Sequence, residues 1–110
     1  MKHIKLNDSS RKGDMAEFYA VTWLWDNGYE VFKNCGCTGP VDLIARDLKG
    51  NIKLIDVKTA RPQEHKITGN NVTKYGGRTK EQIRMGVQLL QFEPDTRKLR
   101  FMEHRKWRKN

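Results

Sequence analysis

The chain has 110 residues, 22 Lys and Arg against 13 Asp and Glu, a formal charge of +9 and a pI near 9.8. That is the size of one domain, residues 1–110, with no room for a second core, and its surface field attracts polyanions. The most apolar segment, Ala20-Val21-Thr22-Trp23-Leu24-Trp25, is far too short to span a membrane and the first residues lack a signal peptide's apolar core, so a cytoplasmic, nucleic-acid-associated protein is expected.

Residues 1 to 10 read as a short polar arm ending at Ser9-Ser10, either of which can cap a helix. A helix is expected from about Arg11 to Asn27. The segment has no proline, Ala16, Ala20, Trp23 and Leu24 recur at spacings of three and four, and Asn27-Gly28 tolerates the left-handed closing conformation. Tyr29 to Asn34 reads as a strand and Cys35-Gly36-Cys37-Thr38-Gly39-Pro40 as a loop, whose Thr38-Gly39-Pro40 turn would let backbone or substrate approach closely. A lone Cys-x-Cys lacks the second ligand pair of a zinc site, so Cys35 and Cys37 read as free thiols.

Val41 to Asp47 and Ile52 to Thr59 read as two further strands joined by the tight connection Leu48-Lys49-Gly50-Asn51. Arg61 to Arg78 has no apolar period and carries Arg61, His65, Lys66, Lys74 and Arg78, as a basic loop would. Thr79-Lys80-Glu81-Gln82 matches a capping box and opens a short helix to about Met85. Val87 to Phe92 and Lys98 to Glu103 are two more strands around the turn Glu93-Pro94-Asp95-Thr96, and the tail Arg105 to Asn110 is basic with one aromatic, Trp107. The order implies an α/β fold with a mixed central β-sheet flanked by helices, since the early connections are too short for parallel pairing.

The chemistry gathers at Asp56-Val57-Lys58. Side chains alternate along a strand, so Asp56 and Lys58 share one face while Ile55 and Val57 share the other. Alone the triplet describes many solvated surface pairs. Asp42 changes its weight: an acid within Val41 to Ala45 sits in a largely apolar strand, where carboxylates are exceptional. Glu17 falls inside the apolar stripe of the first helix, so it requires a partner, either a metal or a basic side chain at the edge of the core. Two carboxylates and a lysine at one spot can hold a divalent ion and act on a water. Gln82 and Gln88 could act as accessory polar groups, but glutamine in a turn of helix or strand is ordinarily solvated, so both are placed outside the site.

Gly13-Asp14-Met15-Ala16-Glu17, Asn27-Gly28-Tyr29-Glu30-Val31, Val41-Asp42-Leu43-Ile44-Ala45 and Ile55-Asp56-Val57-Lys58-Thr59-Ala60 together resemble the PD-(D/E)XK nuclease superfamily. More narrowly they are similar to the archaeal Holliday-junction resolvases and the small PD-(D/E)XK homing-type endonucleases. The match covers residues 13 to 60, and Leu99 to Arg105 is similar to the closing hairpin of the latter group. In this chain Val41 intervenes between the proline of the motif, Pro40, and its aspartate.

The resemblance implies a restriction-endonuclease-like core and a metal-dependent DNA endonuclease, with Glu17, Asp42, Asp56 and Lys58 as the catalytic set. Asp42, Asp56, the carbonyl of Val57 and Glu17 would bind Mg²⁺ or Mn²⁺, while Lys58 would orient the attacking water and offset charge on the phosphate. Arg11, Lys12, Arg61, Lys66, Lys74 and Arg78 are candidates for contact with double-stranded or branched DNA, and a homodimer would cut two strands. A non-catalytic nucleic-acid-binding module on the same fold is the alternative, disfavoured because a degenerate site would have lost one of the four residues. A basic RNA- or ribosome-associated protein would explain the charge but leave the buried-looking acids without a purpose.

Overall fold

The computed structural model describes residues 9–36, 38–60 and 77–103. The expected polar arm before Ser9, the thiol of Cys37, the loop 61–76 and the tail beyond residue 103 lie outside the described residues. Helix α1 spans Ser9–Asp26, followed by strands β1 (Glu30–Lys33), β2 (Leu43–Arg46) and β3 (Ile52–Thr59), helix α2 (Lys80–Met85), and strands β4 (Gln88–Glu93) and β5 (Lys98–Phe101). The strands form one five-stranded sheet in the order β1-β2-β3-β4-β5. All neighbours are antiparallel except β3 and β4, whose parallel pairing is reached through the connection that carries α2. This is the mixed α/β sheet the sequence implies.

Helix α1 ends where Asn27-Gly28 predicts. Gly28 takes φ +86°, Tyr29 N donates to Leu24 O at 3.0 Å and Gly28 N to Trp25 O at 3.0 Å, the paired bonds that close a helix through a left-handed residue. At its start the helix already includes Ser9 and Ser10, so neither serine is the expected cap. Ala16, Ala20 and Leu24 are fully buried one turn apart. The two alanines let the helix axis lie close to the sheet, and Leu24 joins Leu43, Ala45, Ile55 and Leu90 in the core. Truncating a leucine in such a setting costs about 2–5 kcal/mol.

Around that core, Tyr19 stacks on Phe92 with centroids 5.1 Å apart, and Trp23 meets Phe101 edge-on at 5.7 Å. Arg97 in the β4–β5 turn adopts φ +64°, a conformation costing a non-glycine residue about 1–2 kcal/mol. Its guanidinium lies 5.2 Å from the Tyr19 ring centroid, so cation–π attraction offsets part of that cost and ties the hairpin to α1. Strand β5 is shorter than expected, although Met102 N still donates to Leu89 O at 3.0 Å. Among the described residues, no helix is long and apolar enough to cross a membrane.

The turn between β2 and β3 is organised by one carboxylate. Asp47 Oδ1 accepts from Lys49 N at 2.8 Å and Asn51 N at 2.9 Å, and Gly50 supplies the positive φ that closes the loop. This sets the β2–β3 register, Leu43 opposite Ile55 and Arg46 opposite Ile52. The register in turn brings the entry to β2 beside the middle of β3, where the acids lie.

Candidate active site

Asp42 stands just before β2 rather than inside it, and is bonded on both sides. Its backbone N–H donates to Ile55 O at 2.8 Å and its carbonyl accepts from Asn34 N at 2.9 Å, so the residue is fixed between β1 and β3. Its side chain turns toward β3, where Oδ2 accepts from the backbone N–H of Val57 at 2.8 Å. Asp56, next to Val57, is 9% exposed, and its carboxyl stands close enough to that of Asp42 to raise the latter's pKa. Lys58 Nζ lies 3.4 Å from Asp56 Oδ2, on the same face of β3 as the alternation of side chains requires.

The electrostatics follow from that crowding. Burial pushes the Asp42 carboxyl up to about 7, helped by its hydrogen bond to Asp56 and by the negative charges of Asp56 and Glu17, and opposed by the Val57 N–H. A pair of carboxylates that resists full ionisation at neutral pH is a site that gains from a cation. The donor set fits a hard divalent ion of the Mg²⁺ kind, which is held through one or two carboxylates and keeps several waters. It is not a closed cage: among the described residues, no three His, Cys, Asp or Glu side chains are gathered in one place.

Glu17 projects from α1 near enough to raise the Asp42 pKa, yet its Oε1 is engaged by Lys33 Nζ at 3.0 Å, a pair that is 32% and 20% exposed. The salt bridge at the edge of the core, one of the two partners its place in the stripe requires, is therefore the contact it makes. Val57 engages the site through its N–H; a ligand role for its carbonyl remains an implication of the resemblance. Beside Asp42 opens a cleft of about 220 Å³ lined by Phe32, Lys33, Val41 and Ile44 among others, so a substrate can reach the acid from that side.

One residue placed outside the site by its sequence belongs to it. Gln82, 6% exposed, is not solvated: its Nε2 donates to Asp56 Oδ2 at 3.0 Å and to the carbonyl of Pro40 at 2.9 Å. The signal was available in the capping box. The box uses only the glutamine's oxygen, which accepts from Thr79 N at 3.0 Å, and leaves a pair of N–H donors to be satisfied. Gln88, by contrast, accepts from Lys53 Nζ at 3.5 Å.

At Gly39 the expected close approach of backbone is absent among the described residues. A Cβ there would meet no protein atom within 4 Å, so the glycine serves its φ of +95°. The residue between Pro40 and Asp42 also has a use, since the Val41 carbonyl accepts from Asn34 Nδ2 at 2.8 Å and secures the turn. Of the proposed nucleic-acid contacts, Arg11 and Lys12 are exposed on α1, whereas Arg78 is half-buried and donates to Val87 O at 3.1 Å. Arg61, Lys66 and Lys74 lie outside the described residues.

Comparison with known proteins accords with the fold and with the resemblance in the sequence. A model of the family described as archaeal Holliday junction resolvase (Hjc) matches residues 8–110. Among solved structures, the chain is similar to a bacterial homing endonuclease, I-Ssp6803I, with a TM-score of 0.62 and 20% identity over 88% of this chain. The chain spans 66% of that structure's length, and at this identity the likeness concerns the fold alone. No curated protein matches the chain significantly.

Proposed function

The chain belongs to the archaeal Holliday junction resolvase family, and from that premise we propose that it is a metal-dependent endonuclease hydrolysing phosphodiester bonds in branched DNA, on a PD-(D/E)XK core. The observation that carries this reading is the meeting of Asp42, fastened at the entry to β2 by the Val57 N–H, with Asp56 of β3, whose carboxylate lies 3.4 Å from Lys58. Ordinary packing has no use for two adjacent half-buried acids.

In this reading Asp42, Asp56 and the carbonyl of Val57 hold Mg²⁺ or Mn²⁺, with Glu17 adding negative charge to the shell. A bound ion of this class supplies an acidified water and stabilises charge on the phosphoryl oxygens. Lys58 orients the attacking water and offsets the negative charge that grows on the pentavalent phosphate. Lys33 pairs with Glu17 and fixes where the acid of α1 stands relative to the site. Arg11 and Lys12, with Arg61, Lys66, Lys74 and Arg78, neutralise backbone phosphates, contacts that set affinity and salt dependence without reading sequence. A homodimer presents two such sites to two strands of a junction.

The test is a cleavage panel of linear, supercoiled and four-way-branched DNA in Mg²⁺, in Mn²⁺ and in chelator. Preferential cutting of the branched substrate, abolished by chelator, is expected. Binding of all three without cutting any would replace the nuclease by a binding module on the same fold.

A further inference from the structure

We infer that Gln82 is the positioning residue of this active site: its side-chain amide orients Asp56 and sets the spacing of the two chain segments that carry the carboxylates. The inference rests on the nuclease reading above. Gln82 is buried, and each of its polar groups has a defined partner. One N–H goes to Asp56 Oδ2 at 3.0 Å, the other to Pro40 O at 2.9 Å, and Oε1 accepts from Thr79 N at 3.0 Å. The amide cannot be reversed. Exchanging its ends would set Nε2 against the Thr79 N–H and Oε1 against two acceptors.

Pro40 lies two positions before Asp42, so a single planar group bridges the turn that delivers Asp42 and the strand that delivers Asp56. Asp56 Oδ2 receives Gln82 on one side and Lys58 on the other, which fixes the carboxylate plane from the protein. A helix cap alone does not explain the residue. The cap needs only an acceptor, which glutamate supplies equally well, whereas a glutamate here would put an anion against Asp56 and against a carbonyl. Only the amide caps α2 and donates twice.

The experiment compares wild type, Gln82→Met and Thr79→Ala in the full chain. Thr79→Ala removes the hydroxyl that accepts from Gln82 N at 3.1 Å but leaves the backbone N–H and the glutamine amide in place. Binding of Mn²⁺ is read from the free-ion electron paramagnetic resonance signal, turnover from cleavage of a four-way junction, and folding from thermal melting. In Gln82→Met, Mn²⁺ affinity and kcat are expected to fall about 10- to 100-fold, as for other residues that orient metal ligands, with KM for DNA nearly unchanged. In Thr79→Ala both are expected within about twofold of wild type despite the loss of a cap. Wild-type Mn²⁺ affinity and kcat in Gln82→Met, or an equal loss in Thr79→Ala, would overturn the proposal. Where Gln82→Met does not fold, Gln82→Glu keeps the cap acceptor and takes its place: the same loss of kcat is expected, and wild-type kcat overturns the proposal. A wild-type protein that neither binds Mn²⁺ nor cuts DNA would overturn the nuclease reading itself, an outcome distinct from an active enzyme indifferent to Gln82.

Discussion

The backbone N–H of Val57 donates to Asp42 Oδ2 at 2.8 Å, which fastens the acid at the mouth of β2 to the residue that separates Asp56 from Lys58. The bond ties Asp42 to the stretch of β3 that carries Asp56 and Lys58, so a shift of β3 against β2 would have to break it. It also favours the ionised form of Asp42, but burial and the neighbouring carboxylates outweigh it, and the group titrates near neutrality.

That balance predicts a pH dependence of stability. The folded-state pKa of Asp42, about 7, lies above the ordinary carboxylate value of 3.8, so the folded protein binds this proton more tightly than the unfolded chain does. The associated stability is complete below pH 3.8 and is lost as pH rises through 7. In chelator, the wild-type melting temperature is expected to fall between pH 5 and pH 8 relative to that of Asp42→Asn, and Mg²⁺ is expected to restore it at the upper end. Parallel melting profiles for the two proteins over this range would contradict the assignment.

Glu17 contributes to the same titration. Removing its charge in Glu17→Gln is expected to lower the Asp42 pKa, because one of the negative charges raising it is gone. Carbon-13 chemical-shift titration of the Asp42 carboxyl reads this directly. The accompanying loss of the pair with Lys33, partly exposed on both sides, is expected to cost no more than about 1 kcal/mol in thermal or denaturant melting.

Arg78 and Lys12 should separate by their effect on stability. Lys12 is exposed on α1, and its replacement by alanine is expected to weaken binding uniformly across DNA sequences and to reduce the slope of log affinity against log salt by about 1. Arg78 is bonded to the Val87 carbonyl, so Arg78→Ala is expected to lower the melting temperature as well. Equal melting temperatures for wild type and Arg78→Ala would show that this bond contributes nothing.

Much of this molecule is readable from local chemistry. Strand β3 has the expected bounds, Ile52–Thr59, because an apolar run between Asn51 and Ala60 has no competing period. The Thr79–Gln82 box and the Asn27-Gly28 closure formed as expected because their partners lie within five positions. The unreadable parts depend on register. The partner of Glu17 is Lys33, sixteen positions away on β1, and those of Gln82 are 26 and 42 positions away. The capping box left the two N–H donors of Gln82 to be satisfied, but which groups take them depends on how α2 meets the turn before β2 and the middle of β3. Asp42 was recognisable as an acid among apolar residues, but its fastening to Val57 depends on how β2 meets β3.

In the proposed mechanism Asp56 and Lys58 act as one unit on a phosphodiester with a divalent ion. Single-turnover cleavage of a labelled four-way junction by wild type, Asp56→Ala, Lys58→Ala and the double variant tests it most directly. Each single substitution is expected to lower the rate at least about 100-fold, with the double variant little worse than the poorer single, since groups that act together are not additive. Cleavage that survives both substitutions, or that continues in chelator, would contradict the account.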